Sequence, residues 1–167
     1  MRSKESQLSL IALRALLHYD AETGQFTWLT SKGGVTIGSV AGNVNSNGYL
    51  VVGINGTKYR QHRLAWFYHH GVWPEGTVDH SDCNRANNKM DNLRDVSQAV
   101  NMQNQRNASK ASQSGVLGSY WSDRRQGFMA SVTVNKKQKR RGPYRTLERA
   151  ALAYVQLKHI YHEGCTL

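Results

Sequence analysis

The sequence predicts an α+β protein made of two small domains. Two patterns support this class: an Asn55-Gly56 hairpin signal followed by a helical pattern, and a two-residue alternation from Phe128 to Val134 followed by a second helical pattern. The polar run NASKASQS separates the two patterns and has no apolar periodicity, as is typical of a linker. We therefore place the first domain at residues 1–108, the linker at 109–114 and the second domain at 115–167.

Short elements are expected in the first domain. Apolar side chains at near-helical spacing predict an amphipathic helix over residues 6–18, and residues 25–29 form a brief strand. The Asn55-Gly56 pair, in which both residues tolerate positive φ, joins strands at 49–54 and 58–61. A helix over 62–70 then ends at Gly71.

The second domain is predicted to be a three-stranded antiparallel sheet packed on one helix. Phe128, Ala130, Val132 and Val134 form the buried face of the middle strand, and the residues between them form the open face. A turn at residues 135–137 leads to a third strand at about 138–144. Thr146 is a plausible N-cap for a helix whose apolar side chains cover the sheet.

Charge identifies the class of partner. The chain of 167 residues has a net charge of +11 and a pI near 10.0. Residues 109–145 hold nine Lys or Arg against one acid, whereas residues 1–108 hold eleven against eight. This balance favours a polyanion, bound through its phosphates mainly by the second domain.

Two cysteines without a CxxC pair support neither a zinc ribbon nor a disulfide scaffold. No run of about 18 apolar residues occurs, so we expect a soluble intracellular protein, with no membrane partner.

The sequence predicts a catalytic site at Asp79-His80, with Asn92 and Asn101 further along the chain. An uncharged imidazole can take a proton from water at neutral pH, which makes His80 a candidate general base. A hard divalent cation prefers oxygen ligands, so Asp79 and an asparagine oxygen could hold it. Adjacent strand residues point to opposite faces, which suits these two tasks. Asn92 is a candidate for orienting the imidazole.

This segment resembles the HNH endonucleases of the phage and intron-encoded homing type. The matching letters are His62-Arg63-Leu64-Ala65, Val78-Asp79-His80, Asn84, Asn87-Asn88, Asn92-Leu93-Arg94, Val96-Ser97 and Asn101-Met102-Gln103-Asn104. The resemblance implies a ββα-metal finger at about 76–106. It makes His80 the general base, Asn92 the residue that orients it, and Asp79 and Asn101 the metal ligands. Cys83 departs from the family, which usually has glycine in that turn.

Other residues near this motif have weaker assignments. Asn84, Asn87 and Asn88 are interpreted as residues that shape the loop. His62 and Arg63 are candidates for phosphate contact beside the active site, and the alternative for His62 is an ordinary structural histidine.

The second domain resembles the ethylene-response-factor (APETALA-two) type of DNA-binding domain. The match rests on Gly115-Val116, Tyr120-Trp121, Gly127-Phe128-Met129-Ala130, the strand end from Gly142 to Tyr144, Thr146-Leu147-Glu148 and Ala150-Ala151-Leu152-Ala153-Tyr154. In that family the open face of the sheet lies in the major groove. Leu117 and Pro143 depart from the family pattern. By this resemblance the candidate DNA contacts are Tyr120, Arg124, Arg125, Met129, Ser131, Thr133, Lys139 and Arg141.

Together these observations predict a metal-dependent homing endonuclease that cuts or nicks duplex DNA and leaves 5′-phosphate and 3′-hydroxyl ends. Mg²⁺ is the expected ion and Mn²⁺ the second choice, with one ion per active site and no small-molecule cofactor. We expect a monomer or weak homodimer that is encoded by a phage and acts in the cytoplasm of a bacterial host. The alternatives are a catalytically inactive DNA-binding regulator on the same scaffold and a protein acting on structured RNA.

Overall fold

The computed structural model describes residues 5–31, 33–103, 108 and 112–162. The chain divides into two compact units, Met1–Ser97 and Gln98–Leu167. The predicted limits of the domains and of the linker stay predictions, and residues 109–111 of that linker lie outside the described residues. In the ranges that the structure describes, no helix has the length and apolar character needed to cross a bilayer.

Within its described residues, the first unit combines short strands with two α-helices. Its strands form three antiparallel groups: β1 with β2, β3 with β4 and β5, and β6 with β7. In chain order the elements are α1 (Leu10–Leu16), β1 (Leu17–Tyr19), β2 (Phe26–Trp28), β3 (Asn43–Val44), β4 (Leu50–Ile54), β5 (Thr57–Arg60), α2 (Gln61–His70), β6 (Thr77–His80) and β7 (Leu93–Val96).

The turn and cap signals of this unit have the predicted geometry. Asn55 and Gly56 both adopt positive φ, at 48° and 76°, and connect β4 to β5. Helix α2 ends at Gly71, which has a φ of 76° and donates its N–H to the carbonyl of Phe67. Helix α1 is shorter than predicted, because Ser9 caps its start and the chain becomes extended at Leu17 to pair with β2.

One apolar cluster connects these elements. Leu13, Leu17 and Phe26 are fully buried together with Leu64 of α2, and the cluster extends to Val78 and Leu93. Because Val78 and Leu93 lie on β6 and β7, the β6–β7 hairpin is anchored to the core by the residues beside its polar side chains.

The second unit contains α3 (Gln98–Gln103), β8 (Ser119–Ser122), β9 (Gly127–Val134), β10 (Lys137–Tyr144) and α4 (Leu147–Tyr161). The strand order is β10-β9-β8, and both pairs are antiparallel. Thr146 caps α4 by accepting a hydrogen bond from the N–H of Arg149. The predicted three-stranded sheet followed by one helix is therefore confirmed, and so is the α+β class.

Helix α4 covers one face of this sheet. Ala130 and Val132 pack against Ala153, Tyr154 and Leu157. The Tyr154 ring lies directly on the backbone at Gly118, whose φ is +68°, and a Cβ there would come within 2.0 Å of the ring. Side chains that share a face with Ala130 and Val132 therefore point to the helix side.

Candidate active site

The β6–β7 hairpin places Asp79 and His80 on opposite faces. Asp79 pairs with Arg94 and His80 with Leu93 across the two strands. The His80 side is closed, since only 4% of this residue is exposed, whereas Asp79 is partly exposed. This is the arrangement predicted from their adjacency in a strand.

Arg94 forms an ion pair with Asp79. Its Nη2 and Nε atoms donate to Oδ2 of Asp79 at 2.8 and 3.1 Å. Both hydrogen bonds reach the same oxygen, so the carboxylate is held in one orientation. Sequence reasoning missed Arg94 as a site residue, although antiparallel pairing of the two predicted strands would have set it opposite Asp79.

A chain of hydrogen bonds, which we name the His80 relay, fixes the His80 ring. Nε2 of His80 lies 3.0 Å from Oδ1 of Asn88, and Nδ2 of Asn88 donates to Oε1 of Gln61 at 3.1 Å. Nε2 of Gln61 donates to the backbone carbonyl of Ala41. All three side chains are at least nine-tenths buried.

The relay also determines the tautomer of His80. The Ala41 carbonyl can only accept, so the amide of Gln61 must present its oxygen to Asn88, and the amide of Asn88 must present its oxygen to His80. Nε2 of a neutral His80 therefore bears the hydrogen, and Nδ1 is the basic nitrogen. The imidazole is thus preset to accept a proton at Nδ1.

Asn92 is bonded differently from the prediction. Its Oδ1 accepts from the N–H of Asp82 at 3.0 Å, and its Nδ2 donates to Oδ1 of Asp82 and to the carbonyl of Asn87. The hydrogen bond to His80 comes from Asn88, which sequence reasoning had treated as a loop-shaping residue. In the structure Asn92 holds the loop, and Asn88 orients the ring.

The loop between β6 and β7 also stabilises the charged form of Asp82. Burial disfavours the charged form of Asp82, but hydrogen bonds from Asn87, from the Asn84 backbone and from Asn92 outweigh it and lower the pKa of Asp82. Cys83 is exposed and has a φ of 63°, the conformation that the family's usual glycine adopts without strain.

His62 is buried beside His80. Its ring lies 5.1 Å from the His80 ring in an edge-on arrangement and 5.1 Å from the Tyr49 ring, and 2% of the residue is exposed. Within the described residues its Nδ1 has no hydrogen-bond partner. Burial, and next the proximity of His80, lowers the pKa of His62 to about 3. His62 is therefore a neutral packing residue, which agrees with the alternative of a structural histidine and leaves no exposed ring for the predicted phosphate contact.

We expect His62 to make the fold sensitive to acid. An unfolded histidine takes up a proton near pH 6.5, but folded His62 does so only near pH 3. The unfolded state therefore binds the extra proton between these values, and the free energy of unfolding should fall by about 1.4 kcal/mol per pH unit as the pH decreases through that window. Urea unfolding of the protein and of His62→Gln at several pH values measures this term.

The difference between the two curves isolates His62, because the other titrating groups are common to both proteins. His69→Gln, at an exposed position at the end of α2, is the matched control for the loss of an imidazole. Parallel curves for His62→Gln and the parent would rule out a buried neutral His62.

Arg63 is occupied by contacts within the fold. Its guanidinium pairs with the Glu5 carboxylate and donates to the backbone carbonyls of Gly76 and Pro74. These contacts connect α2 to the chain just before β6. The predicted phosphate contact at Arg63 would compete with this ion pair.

The two predicted metal ligands, Asp79 and Asn101, belong to different units of the structure. Asp79 presents a carboxylate on the partly exposed face of β6. Asn101 lies in α3, which belongs to the second unit, and residues 104–106 of the predicted finger lie outside the described residues. The ranges described contain no cluster of three His, Cys, Asp or Glu side chains. A carboxylate and a carboxamide oxygen fit a hard cation such as Mg²⁺ or Mn²⁺, which keeps positions for water and phosphate.

The register of the second sheet corrects two predicted DNA contacts. Lys139 pairs with Val132 and Arg141 with Ala130, so both side chains share the helix-covered face. Nζ of Lys139 lies 5.6 Å from the centre of the Tyr161 ring, and Arg141 donates to Gln156 of α4. Their predicted placement on the open face is wrong.

The open face holds the other predicted strand contacts and one that was missed. Tyr120 pairs with Met129, and Ser131 pairs with Arg140. Arg140 therefore lies on the open face, where its neighbours Lys139 and Arg141 were expected. Met129 is only 4% exposed, because the backbone at Gly142 lies close to its sulfur, which makes it a poor surface contact. The remaining predicted contacts are exposed: Thr133 on β9, and Arg124 and Arg125 in the turn between β8 and β9.

Comparison with known proteins bears on the class. Residues 59–103 match a family model described as HNH endonuclease. A solved structure described as "DNA binding and cleavage by the HNH homing endonuclease I-HmuI" aligns with 22% identity and a TM-score of 0.48, over 94% of this chain and 93% of that chain. A search of curated proteins found no match.

The matched segment contains Asp79, His80, Asn88 and Asn92, the side chains of the hairpin and its loop. The chain therefore has an HNH endonuclease domain at residues 59–103. The protein is an endonuclease, a hydrolase of phosphodiester bonds.

Proposed function

We propose that this endonuclease is a metal-dependent enzyme of the homing type that hydrolyses phosphodiester bonds of duplex DNA. The observation that supports it best is the His80 relay, which presets Nδ1 of a buried imidazole as a base one residue from the Asp79 carboxylate. A fixed base beside an oxygen ligand is what hydrolysis at phosphorus requires from side chains.

In the proposed reaction, Nδ1 of His80 takes a proton from a water molecule. The water oxygen attacks phosphorus in line with the bond to the 3′ oxygen, and that bond breaks with its electron pair remaining on the 3′ oxygen. Asp79 would be a ligand of a bound Mg²⁺ or Mn²⁺, which would neutralise the charge that develops there. Solvent then protonates the 3′ oxygen, so the ends are a 5′-phosphate and a 3′-hydroxyl.

Asp79 and Asn88 have distinct tasks in this scheme. Asn88 holds the Nε2–H of His80, and so maintains the tautomer in which Nδ1 is basic. The Arg94 guanidinium fixes the Asp79 carboxylate, which limits the motion of the ligand oxygen. Asn92 supports catalysis through the loop by holding Asp82 and the carbonyl of Asn87.

The second unit is proposed to grip the DNA in the manner of the ethylene-response-factor type of domain. Two features support this role: the net charge of +8 over residues 109–145, and an open sheet face on the side opposite α4. Tyr120, Ser131, Thr133 and Arg140 lie on that face, and Arg124 and Arg125 are exposed at its end. We keep as proposals a monomer or weak homodimer and a phage-encoded protein acting in bacterial cytoplasm.

Cleavage of supercoiled plasmid tests this function. We expect nicked or linear product with Mg²⁺ or Mn²⁺, no product with EDTA, and ends that DNA ligase rejoins without prior kinase treatment. Duplex DNA should compete for the protein better than structured RNA at the same salt concentration, since the narrow major groove of RNA excludes a sheet. DNA binding without cleavage under all metal conditions would instead indicate an inactive regulator.

A further inference from the structure

The Tyr49 ring connects the buried histidines to the surface of the first unit. Tyr49 follows the turn between β3 and β4, where Asn45 caps its N–H and Gly48 adopts a φ of +81°. Its half-buried ring lies 5.1 Å from the His62 ring and 6.1 Å from the His80 ring. The ring therefore marks a surface directly beside the proposed base.

Two arginines from different elements converge on this ring. The guanidinium carbon of Arg60, at the end of β5, lies 5.0 Å from the ring centre, and that of Arg85, in the loop after β6, lies 5.1 Å from it. Nη1 of Arg85 also donates to the carbonyl of Asn47 at 2.8 Å, which fixes the loop to the turn before Tyr49. Both arginines are exposed.

Neither of these two arginines forms an ion pair with another of the described residues. Arg63 and Arg94 form ion pairs with Glu5 and Asp79, but no carboxylate of the described residues pairs with Arg60 or Arg85. Because both guanidinium carbons lie about 5 Å from one ring centre, they are at most about 10 Å apart, and a bound anion would reduce the repulsion between the two positive charges.

We propose that Arg60, Tyr49 and Arg85 form a phosphate-binding patch. The patch binds the backbone phosphates of the DNA strand next to the bond that is cleaved. This inference rests on the proposed function of His80. Contact with an aromatic ring holds each guanidinium in place, and guanidiniums bind phosphate oxygens through paired N–H groups.

The distances fit one stretch of a single strand. Each guanidinium carbon is within about 11 Å of the His80 ring centre, and successive phosphates of a strand advance by about 3.4 Å along the helix axis. The patch can therefore reach phosphates within about three steps of the scissile bond. These residues position the substrate and take no part in proton transfer.

The test uses full-length protein with His80→Ala as the background for binding and with active protein for kinetics. Arg60→Gln/Arg85→Gln should weaken binding of a duplex oligonucleotide about 30-fold at 0.1 M salt. The slope of log K against log salt should become shallower by about 2, since each phosphate contact contributes about 0.9. In the active protein KM should rise by a similar factor, with kcat changed less than threefold.

Arg14→Gln is the matched control. Arg14 is exposed, lies 5.1 Å from the Tyr68 ring and donates to the Tyr68 carbonyl, so it is also an arginine on a tyrosine. It should leave the salt slope unchanged. Tyr49→Leu keeps both charges and removes the ring, and we expect an intermediate loss of affinity. Thermal unfolding of each variant identifies any that fail to fold, and the single variants Arg60→Gln and Arg85→Gln then replace the pair, each with a salt slope shallower by about 0.9.

The outcomes separate this inference from the proposed function. If the double variant binds with the parent salt slope, or weakens only RNA binding, the patch is refuted while the nuclease assignment stands. If His80→Ala still cleaves at the parent rate, the proposed base is wrong whatever the patch variants show.

Discussion

Replacing His80 with alanine is expected to reduce the rate of strand cleavage by about 10²- to 10⁴-fold, the range that a general base contributes. The His80 imidazole is buried and contacts Asn88 of the relay and the His62 ring. Its loss therefore removes the base without removing surface charge. DNA affinity should therefore stay within about threefold of the parent. Single-turnover cleavage and equilibrium binding on one labelled duplex measure both quantities.

His69→Ala is the matched control, because His69 is an exposed histidine at the end of α2. It should cleave at the parent rate. The His80 assignment fails if His80→Ala, shown to be folded by circular dichroism, cleaves as fast as this control. A parallel loss of binding and cleavage would instead give His80 a role in holding DNA.

Local patterns were sufficient for the elements that position the site. Adjacency in a strand predicted the opposite faces of Asp79 and His80, and the Asn55-Gly56 pair predicted the β4–β5 hairpin, because each pattern acts over a few residues. The family resemblance pointed to the same segment as the family model that matches residues 59–103.

The partner of His80 could not be predicted in this way. Asn88 and Asn92 are both asparagines of one loop, and the choice between them depends on Gln61 and Ala41, which are 27 and 47 residues before Asn88 in sequence. Packing between the β3-β4-β5 sheet and α2 in the first unit brings these groups together. No spacing within the motif contains that information.

A single residue explains the error on the second sheet. The sequence prediction used a three-residue turn at 135–137, which would set Lys139 and Arg141 opposite Thr133 and Ser131. The structure has a two-residue turn, in which Asn135 and Lys136 adopt φ values of 49° and 63°, and β10 begins at Lys137. A shift of one residue moves every side chain of a strand to the other face.

Replacing Asn88 with alanine has the second largest expected effect. The change removes the acceptor for the Nε2–H of His80 and the donor for Oε1 of Gln61, in a region where both side chains are buried. Each unsatisfied polar group costs about 1–3 kcal/mol, so the loss of both partners should lower the free energy of unfolding by about 2–6 kcal/mol. The ring is then free to change tautomer, so kcat should fall 10- to 100-fold with KM little changed.

Two further variants distinguish positioning of His80 from general support of the loop. In Asn88→Asp a carboxylate can still accept from Nε2–H, so kcat should recover in part relative to Asn88→Ala. Asn92→Ala retains the His80 relay, so once corrected for the folded fraction its kcat should fall less than that of Asn88→Ala. The opposite order would return the orienting role to Asn92, because a ring held by Asn88 must respond most strongly to loss of that bond.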